Sequence, residues 1–311
     1  MAPSPISRST ETYRYLRLAI VLLALFLAAA VAIESWWGES PAQGSISAYY
    51  YTPVRGVFIA TLVAMALGLI TIQGRDWGYE DLLLNFSGML APVVALVPTP
   101  ILSTTALPCP DGFAPDERCV PLAFREGVVN NVWALLVLAG GGVLVAAVVA
   151  RPQLRSLLRC RRWLVGCVLA SILIVAVLLV FALEREFFLR WAHYAAAVSM
   201  FGLLIAVGVI NGLATDHTRS AGRAPPRIPG VTDHLRAWYY GLAVGMSLVV
   251  VLAVAYGLLI GEEGSWDAWL FWVEVALLIM FSAFWILQTI DFWNEGLPPP
   301  DDPLPAPTHP R

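Results

Sequence analysis

Few side chains in this sequence can do chemistry, and most of them sit where long apolar runs begin. Glu274 lies inside one such run, Trp269-Leu-Phe-Trp-Val-Glu274, where a carboxyl group can take up a proton, pair with a cation or hold a ligand. With Trp266 at a membrane interface, a rise of about 1.5 Å per residue sets Glu274 about 12 Å below it. Asp267 precedes Glu274 by two helical turns and so shares its face. Arg55 follows Pro53 at the head of a different run, where proline suits a helix start and a fixed cation suits an anionic group. His193, just after Arg190 and Trp191, can serve as a general base or a ligand. A further run opens on Asn130-Asn131.

Residues 45–55 read Ser-Ile-Ser-Ala-Tyr-Tyr-Tyr-Thr-Pro-Val-Arg, a polar and aromatic block with no counterpart elsewhere in the chain. These features predict one outward-facing pocket surrounded by Arg55, Asn130, Asn131, His193, Asp267 and Glu274, with Ser47, Tyr49 and Tyr50 at its rim. Plainer readings stand beside that one. Glu274 can pair with Arg55 as an ion pair between helices, which need not add stability. His193 can be a satisfied interfacial histidine, and the tyrosines an aromatic belt. Serines and a histidine make no hydrolytic triad without the geometry.

Other residues point to structure. Asp81 and Asn85 share a helix face with Gly88 and Pro92; Asp81 suits a helix start, with a cytoplasmic gate as the alternative. Asn211 suits a hydrogen bond between helices. Cys109 and Cys119 are placed to form a disulfide closing a short loop, worth about 3 kcal/mol in the chain-entropy model. Cys160 and Cys167 share a helical face and read as packing residues. There is no CxxC and no Cys/His metal spacing, and His193, His217, His234 and His309 are too dispersed for a zinc site. No glycine-rich phosphate loop appears. The sequence therefore predicts no cofactor and no metal.

The elements that must position these residues follow from composition. The chain of 311 residues is 59% hydrophobic and 13% charged, with a mean hydropathy of +0.72. Soluble domains carry about 25% charged residues, so lipid is the expected solvent. With a net charge of −3 and no basic block, no nucleic-acid partner is expected. Apolar runs at 18–33, 54–73, 82–98, 129–150, 163–182, 191–214, 237–260 and 266–290 predict an all-α polytopic membrane protein, with about eight transmembrane helices in one bundle. Only helices close their own backbone hydrogen bonds in lipid, and a barrel would show shorter alternating segments. The first run also fits a cleaved secretory signal ending near Ala30-Val-Ala32; an anchored helix is the preferred reading.

Of the 19 basic residues all are arginine, and only Arg55, Arg118, Arg125, Arg185 and Arg190 fall outside if the N-terminus is cytoplasmic. That bias puts both termini in the cytoplasm. The domain reading is a cytoplasmic segment 1–17, a bundle 18–290 with an outer loop 99–128, and a disordered proline-rich tail 291–311. The all-arginine usage suggests a bacterial origin, hence a multi-pass protein of the cytoplasmic (inner) membrane.

Residues 45–58, Ser-Ile-Ser-Ala-Tyr-Tyr-Tyr-Thr-Pro-Val-Arg-Gly-Val-Phe, resemble the hallmark of a bacterial DUF998-like integral-membrane family of unknown function. That family is distantly similar to eukaryotic membrane proteins of the autophagy-modulator and glycolipid-anchor-remodelling kind. Residues 81–88 and 94–99, His193-Tyr-Ala-Ala-Ala with Phe201, and Phe271-Trp-Val-Glu274 with Phe284-Trp285 resemble further blocks in the same order. The resemblance implies a six-helix core, to which the fourth and fifth helices and the cysteine loop are added, and a connection to lipid. The leading expectation is a non-enzymatic protein that binds or organises a lipid or amphiphile at the outer leaflet. The alternatives are an outer-leaflet enzyme with His193 or Glu274 as catalytic base, and a small-molecule or proton-coupled transporter. Expected partners are membrane lipids, with a second copy or another membrane protein as a further candidate.

Overall fold

The computed structural model describes residues 8–74, 79–114, 117–149, 161–219, 226–259 and 266–293. Among the described residues eight long helices follow the eight apolar runs: α1 (Arg8–Trp37), α2 (Arg55–Thr71), α3 (Tyr79–Leu96), α4 (Leu122–Val149), α5 (Arg161–Leu183), α6 (Arg185–Arg219), α7 (Leu235–Leu259) and α8 (Trp266–Asp291). Short 3-10 turns, Ser47–Tyr51 and Thr232–His234, precede α2 and α7. The extended pieces β1 (Ile101–Leu102) and β2 (Arg118–Cys119) pair antiparallel, Ile101 opposite Cys119. Cys109 and Cys119 are joined by a disulfide with Cα atoms 5.9 Å apart, which closes this hairpin loop.

Six of the described helical stretches are long and apolar enough to cross a membrane: Thr10–Trp37, Leu122–Val145, Leu164–Leu183, Arg185–Ala214, Thr232–Leu259 and Trp269–Asp291. The chain is thus an all-α, multi-pass membrane protein. α2 is apolar but shorter, at 17 residues. α3, at 18 residues, opens on Glu80 and Asp81 and carries Asn85 and Ser87, so its composition falls outside that set.

The helices close into a ring. α1 packs on α2, α2 on α3, α3 on α6, α6 on α7, α7 on α8, and α8 returns to α1. α4 and α5 lie outside the ring and touch it lightly through α3 and α6. Their apolar side chains face outward, with Val137, Leu138, Leu144 and Ile172 all exposed. Such a surface is stable against lipid and not against water. α2 and α3 approach closely at Gly88 of α3. A Cβ there would stand 2.8 Å from the Ala66 carbonyl oxygen and 2.7 Å from the Ile70 side chain. Only glycine lets α2 and α3 meet so closely, and the α3 backbone runs on through Pro92.

The helices alternate up and down, so the bundle has two ends. At the terminal end the start of α1 meets the end of α8: Arg14 Nε donates to the Trp293 carbonyl over 2.5 Å, and Arg17 lies 4.6 Å over the Phe292 ring. α1 already begins at Arg8, because these arginines have partners there and extend the helix beyond its apolar part. The hairpin end gathers the Ser47–Tyr51 turn, the β hairpin and the starts of α4, α6 and α8. Of the expected tail 291–311, residues 291–293 end α8 and its following turn, and 294–311 lie outside the described residues, as does the segment 150–160 with Cys160.

Candidate functional site

Residues 45–55 fold inward and become the hub of the hairpin end. The chain turns by local hydrogen bonds: Ala48 N donates to Ser45 Oγ over 2.9 Å, and Thr52 Oγ1 donates to the Tyr49 carbonyl over 2.8 Å. Thr52 Oγ1 also accepts from Val54 N at 3.2 Å, satisfying an N–H that a helix start leaves open. Each side chain of the block then reaches a different element. Ser47 donates twice to Glu274 of α8, from N to Oε2 and from Oγ to Oε1, both at 3.0 Å. Tyr49 bonds Ser35 of α1 through its hydroxyl. Tyr50 stacks edge-on to Phe58 of α2, and its hydroxyl accepts from Arg55 Nη2 at 3.1 Å. Tyr51 packs edge-on to Phe124 of α4 and donates to the Thr99 carbonyl over 3.0 Å. Thr99 Oγ1 in turn donates to the Tyr194 hydroxyl of α6 over 2.8 Å. Burial pushes the Tyr51 hydroxyl well above its ordinary range, so it remains a neutral donor.

This arrangement corrects several expectations. Tyr49 and Tyr50 are not a rim: at 1% and 0% exposure they are core residues, because the 3-10 turn points them between the helices. Arg55 and Glu274 form no ion pair. The two Ser47 donors occupy the Glu274 carboxylate, while Arg55 turns to Tyr50 and α4. His193 is buried, with Nδ1 2.7 Å from the Val97 carbonyl just beyond α3. A helix end leaves its last carbonyls open, so the imidazole ties α6 to the end of α3. It reaches Val97 and the Tyr194 ring rather than Arg55 or Glu274. On α4, Asn130 is exposed and Asn131 half-buried, and neither has a hydrogen-bond partner among the described residues. Asp267 lies in the first turn of α8, with its side chain outside the described residues.

Arg55 is the exception to this mutual satisfaction. Its guanidinium carbon lies 4.7 Å from the Tyr50 ring centre and 5.3 Å from that of Phe124. A Cβ placed on Gly127 would stand 3.7 Å from Nη2, so the group lies along α4. Two ring faces stabilise the cation by about 0.5–2 kcal/mol each. No carboxylate approaches it within ion-pair distance among the described residues, and most of its five N–H donors are unused. Two other hairpin-end arginines are matched by acids: Arg125 pairs with Glu186, and Arg190 Nη1 with Glu117 Oε1 at 2.6 Å; Arg185 is exposed and lies 5.4 Å over the Phe181 ring. A shallow cavity of about 230 Å³ lies between the hairpin and the start of α6, lined by Phe113, Glu117, Arg118, Phe187, Arg190 and Trp191. None of the residues expected around a pocket lines it.

A second polar cluster lies at the terminal end; of its members the sequence pointed to Asn211, whose expected hydrogen bond between helices is present, but not to Glu80 or Gln288. Glu80 is fully buried and its Oε1 accepts from Asn211 Nδ2 at 2.9 Å and from Gln288 Nε2 at 3.1 Å. Tyr239 donates to Asp291 Oδ2 over 3.0 Å. Asp81, read from the sequence as a helix-start residue with a gate as the alternative, lies in the first turn of α3 and accepts from Gly74 N in the connection before it. Glu80 and Asp81 are adjacent, so they point about 100° apart on the helix, and only the neighbour faces the core. Among the described residues no three His, Cys, Asp or Glu side chains are grouped to hold a metal ion. Comparison with protein-family models, with curated proteins and with solved structures finds no match.

Proposed function

We propose that this chain crosses a bacterial cytoplasmic membrane eight times, with its hairpin end outside, and binds an amphiphile with an anionic head group there through Arg55. Three features support the crossings. α2 and α3 are members of the closed ring and run alongside spanning helices. Exposed aromatics mark both ends, Trp36, Trp37, Phe187 and Trp191 at one and Tyr15, Tyr79 and Trp238 at the other, as expected for two interfaces. The arginine bias sets the terminal end on the cytoplasmic side.

One observation carries the ligand. Arg55 is a half-buried guanidinium fixed on two aromatic faces, with spare donors and no carboxylate partner among the described residues. A fork of N–H donors held in this way fits a phosphate or carboxylate in two-point contact. The exposed apolar faces of α4 beside it suit the acyl part of the same molecule. Chemistry on that ligand has no support: His193 is committed to Val97 and Glu274 to Ser47. Thermal unfolding of the purified chain in detergent, titrated with phosphatidylglycerol or phosphatidylcholine, tests the reading. The anionic lipid raises the midpoint and the zwitterionic lipid does not. In Arg55→Gln the apparent affinity for phosphatidylglycerol falls about 10–100-fold, the worth of a charge-assisted contact. Equal responses to both lipids in the wild type contradict it.

A further inference from the structure

The strongest unexplained chemistry lies at the opposite end of the ring, where α3, α6 and α8 meet. Glu80 is 0% exposed, Asn211 0% and Gln288 1%. Both amides are directed at the same carboxylate oxygen, over 2.9 and 3.1 Å. Yet the other half of each amide is orphaned: Asn211 Oδ1 and Gln288 Oε1 are buried with no hydrogen-bond donor. A buried acceptor without a donor costs about 1–3 kcal/mol, and here two occur on amides whose nitrogens converge on one acid. Turning an amide by half a revolution exchanges its nitrogen and oxygen in nearly the same space. The three side chains can therefore present two donors to a carboxylate, or three oxygens to a cation. In the second arrangement the amide oxygens stand about 3 Å from the carboxylate oxygen, near the ligand–ligand edge of a shell with cation–oxygen distances of about 2.3–2.6 Å.

We infer that Glu80, Asn211 and Gln288 form a binding site for a hard monovalent cation of sodium size. Oxygen ligands select a hard ion. One carboxylate with two neutral amides suits a single positive charge better than two. The ion holds three helices of the ring together at one point, and it links the occupancy of the site to the packing of α3 against α6 and α8. The inference does not rest on the Arg55 reading, which concerns the other end of the molecule.

The test uses the full chain in phosphatidylcholine nanodiscs, with sodium chloride exchanged for choline chloride at constant ionic strength. Two quantities are read: equilibrium binding of radiolabelled sodium, and the midpoint of thermal unfolding. The wild type binds sodium saturably, and the midpoint rises with sodium but not with choline, as expected for an ion that binds only the folded chain. Glu80→Gln and the near-isosteric Gln288→Met each weaken sodium binding at least about tenfold, the loss of one charged or dipolar ligand. Arg55→Gln leaves sodium binding intact, so failure here and failure of the lipid reading are separable. Absence of saturable sodium binding by the wild type overturns the inference whether or not the variants fold. A midpoint that responds to acidification and not to sodium also overturns it, in favour of a proton on Glu80.

Discussion

At the scale of single residues, the polar side chains of this protein are defined by which partner each one finds. Glu274 is legible in the sequence as a costly acid within an apolar run. Its partner is not, because a one-dimensional pattern carries no helix adjacency, and the 3-10 turn that delivers Ser47 has no periodic signature. Ser47→Ala removes the Oγ donor and leaves the backbone donor in place. It is expected to lower stability by about 1–3 kcal/mol, read as a drop in the thermal or denaturant midpoint, without change in lipid selectivity. Arg55→Gln is expected to change lipid selectivity, with a loss of stability from the ring contacts and the Tyr50 hydrogen bond that it gives up. His193→Ala strips Val97 of its capping donor and opens space between α3 and α6. A loss of about 2–4 kcal/mol follows, measured by the same unfolding midpoint. The Asp81 and Glu80 pair shows the same limit: two adjacent acids look alike in sequence, and only the packed helix reveals that Glu80 is the one turned inward.

At the scale of elements, apolar run lengths gave each of the eight helices its place, but not its ends. α1, α4 and α6 each extend well past their apolar stretches, because arginine, aromatic and acidic side chains at the ends find partners there. The lateral position of α4 and α5 follows from their all-round apolar, small-residue character, which gives no one face a reason to enter the ring. Two outcomes separate the elements. Gly88→Ala forces α2 and α3 apart and is expected to cost about 1–3 kcal/mol by overpacking, with the unfolding midpoint of the whole bundle shifting. Reduction of the Cys109–Cys119 bond is expected to loosen the hairpin, which the bond stabilises by about 3 kcal/mol. Because the ring does not pass through the hairpin, labelling of the freed thiols should rise while helical circular dichroism holds.

At the scale of the whole molecule, the bundle is a closed six-helix ring with two polar ends of different kinds. One end is a hub in which residues 45–55 tie α1, α2, α4 and α8 together, Thr99 links Tyr51 to α6, and Arg55 has no carboxylate partner among the described residues. The other holds an acid between two amides. The class of molecule was readable from composition alone, since so few charges leave lipid as the solvent. The existence of the hub was readable as an odd polar block; its inward turn was not, because the partners of the tyrosine hydroxyls, Ser35, Arg55 and Thr99, come from separate segments. The most direct measurement is native mass spectrometry of the intact chain released from micelles containing equal amounts of phosphatidylglycerol and phosphatidylcholine. Selective retention of phosphatidylglycerol by the wild type, lost in Arg55→Gln and kept in Ser47→Ala, is the expected result. Equal retention of the two lipids by the wild type, or an unchanged preference in Arg55→Gln, would contradict the role given to Arg55.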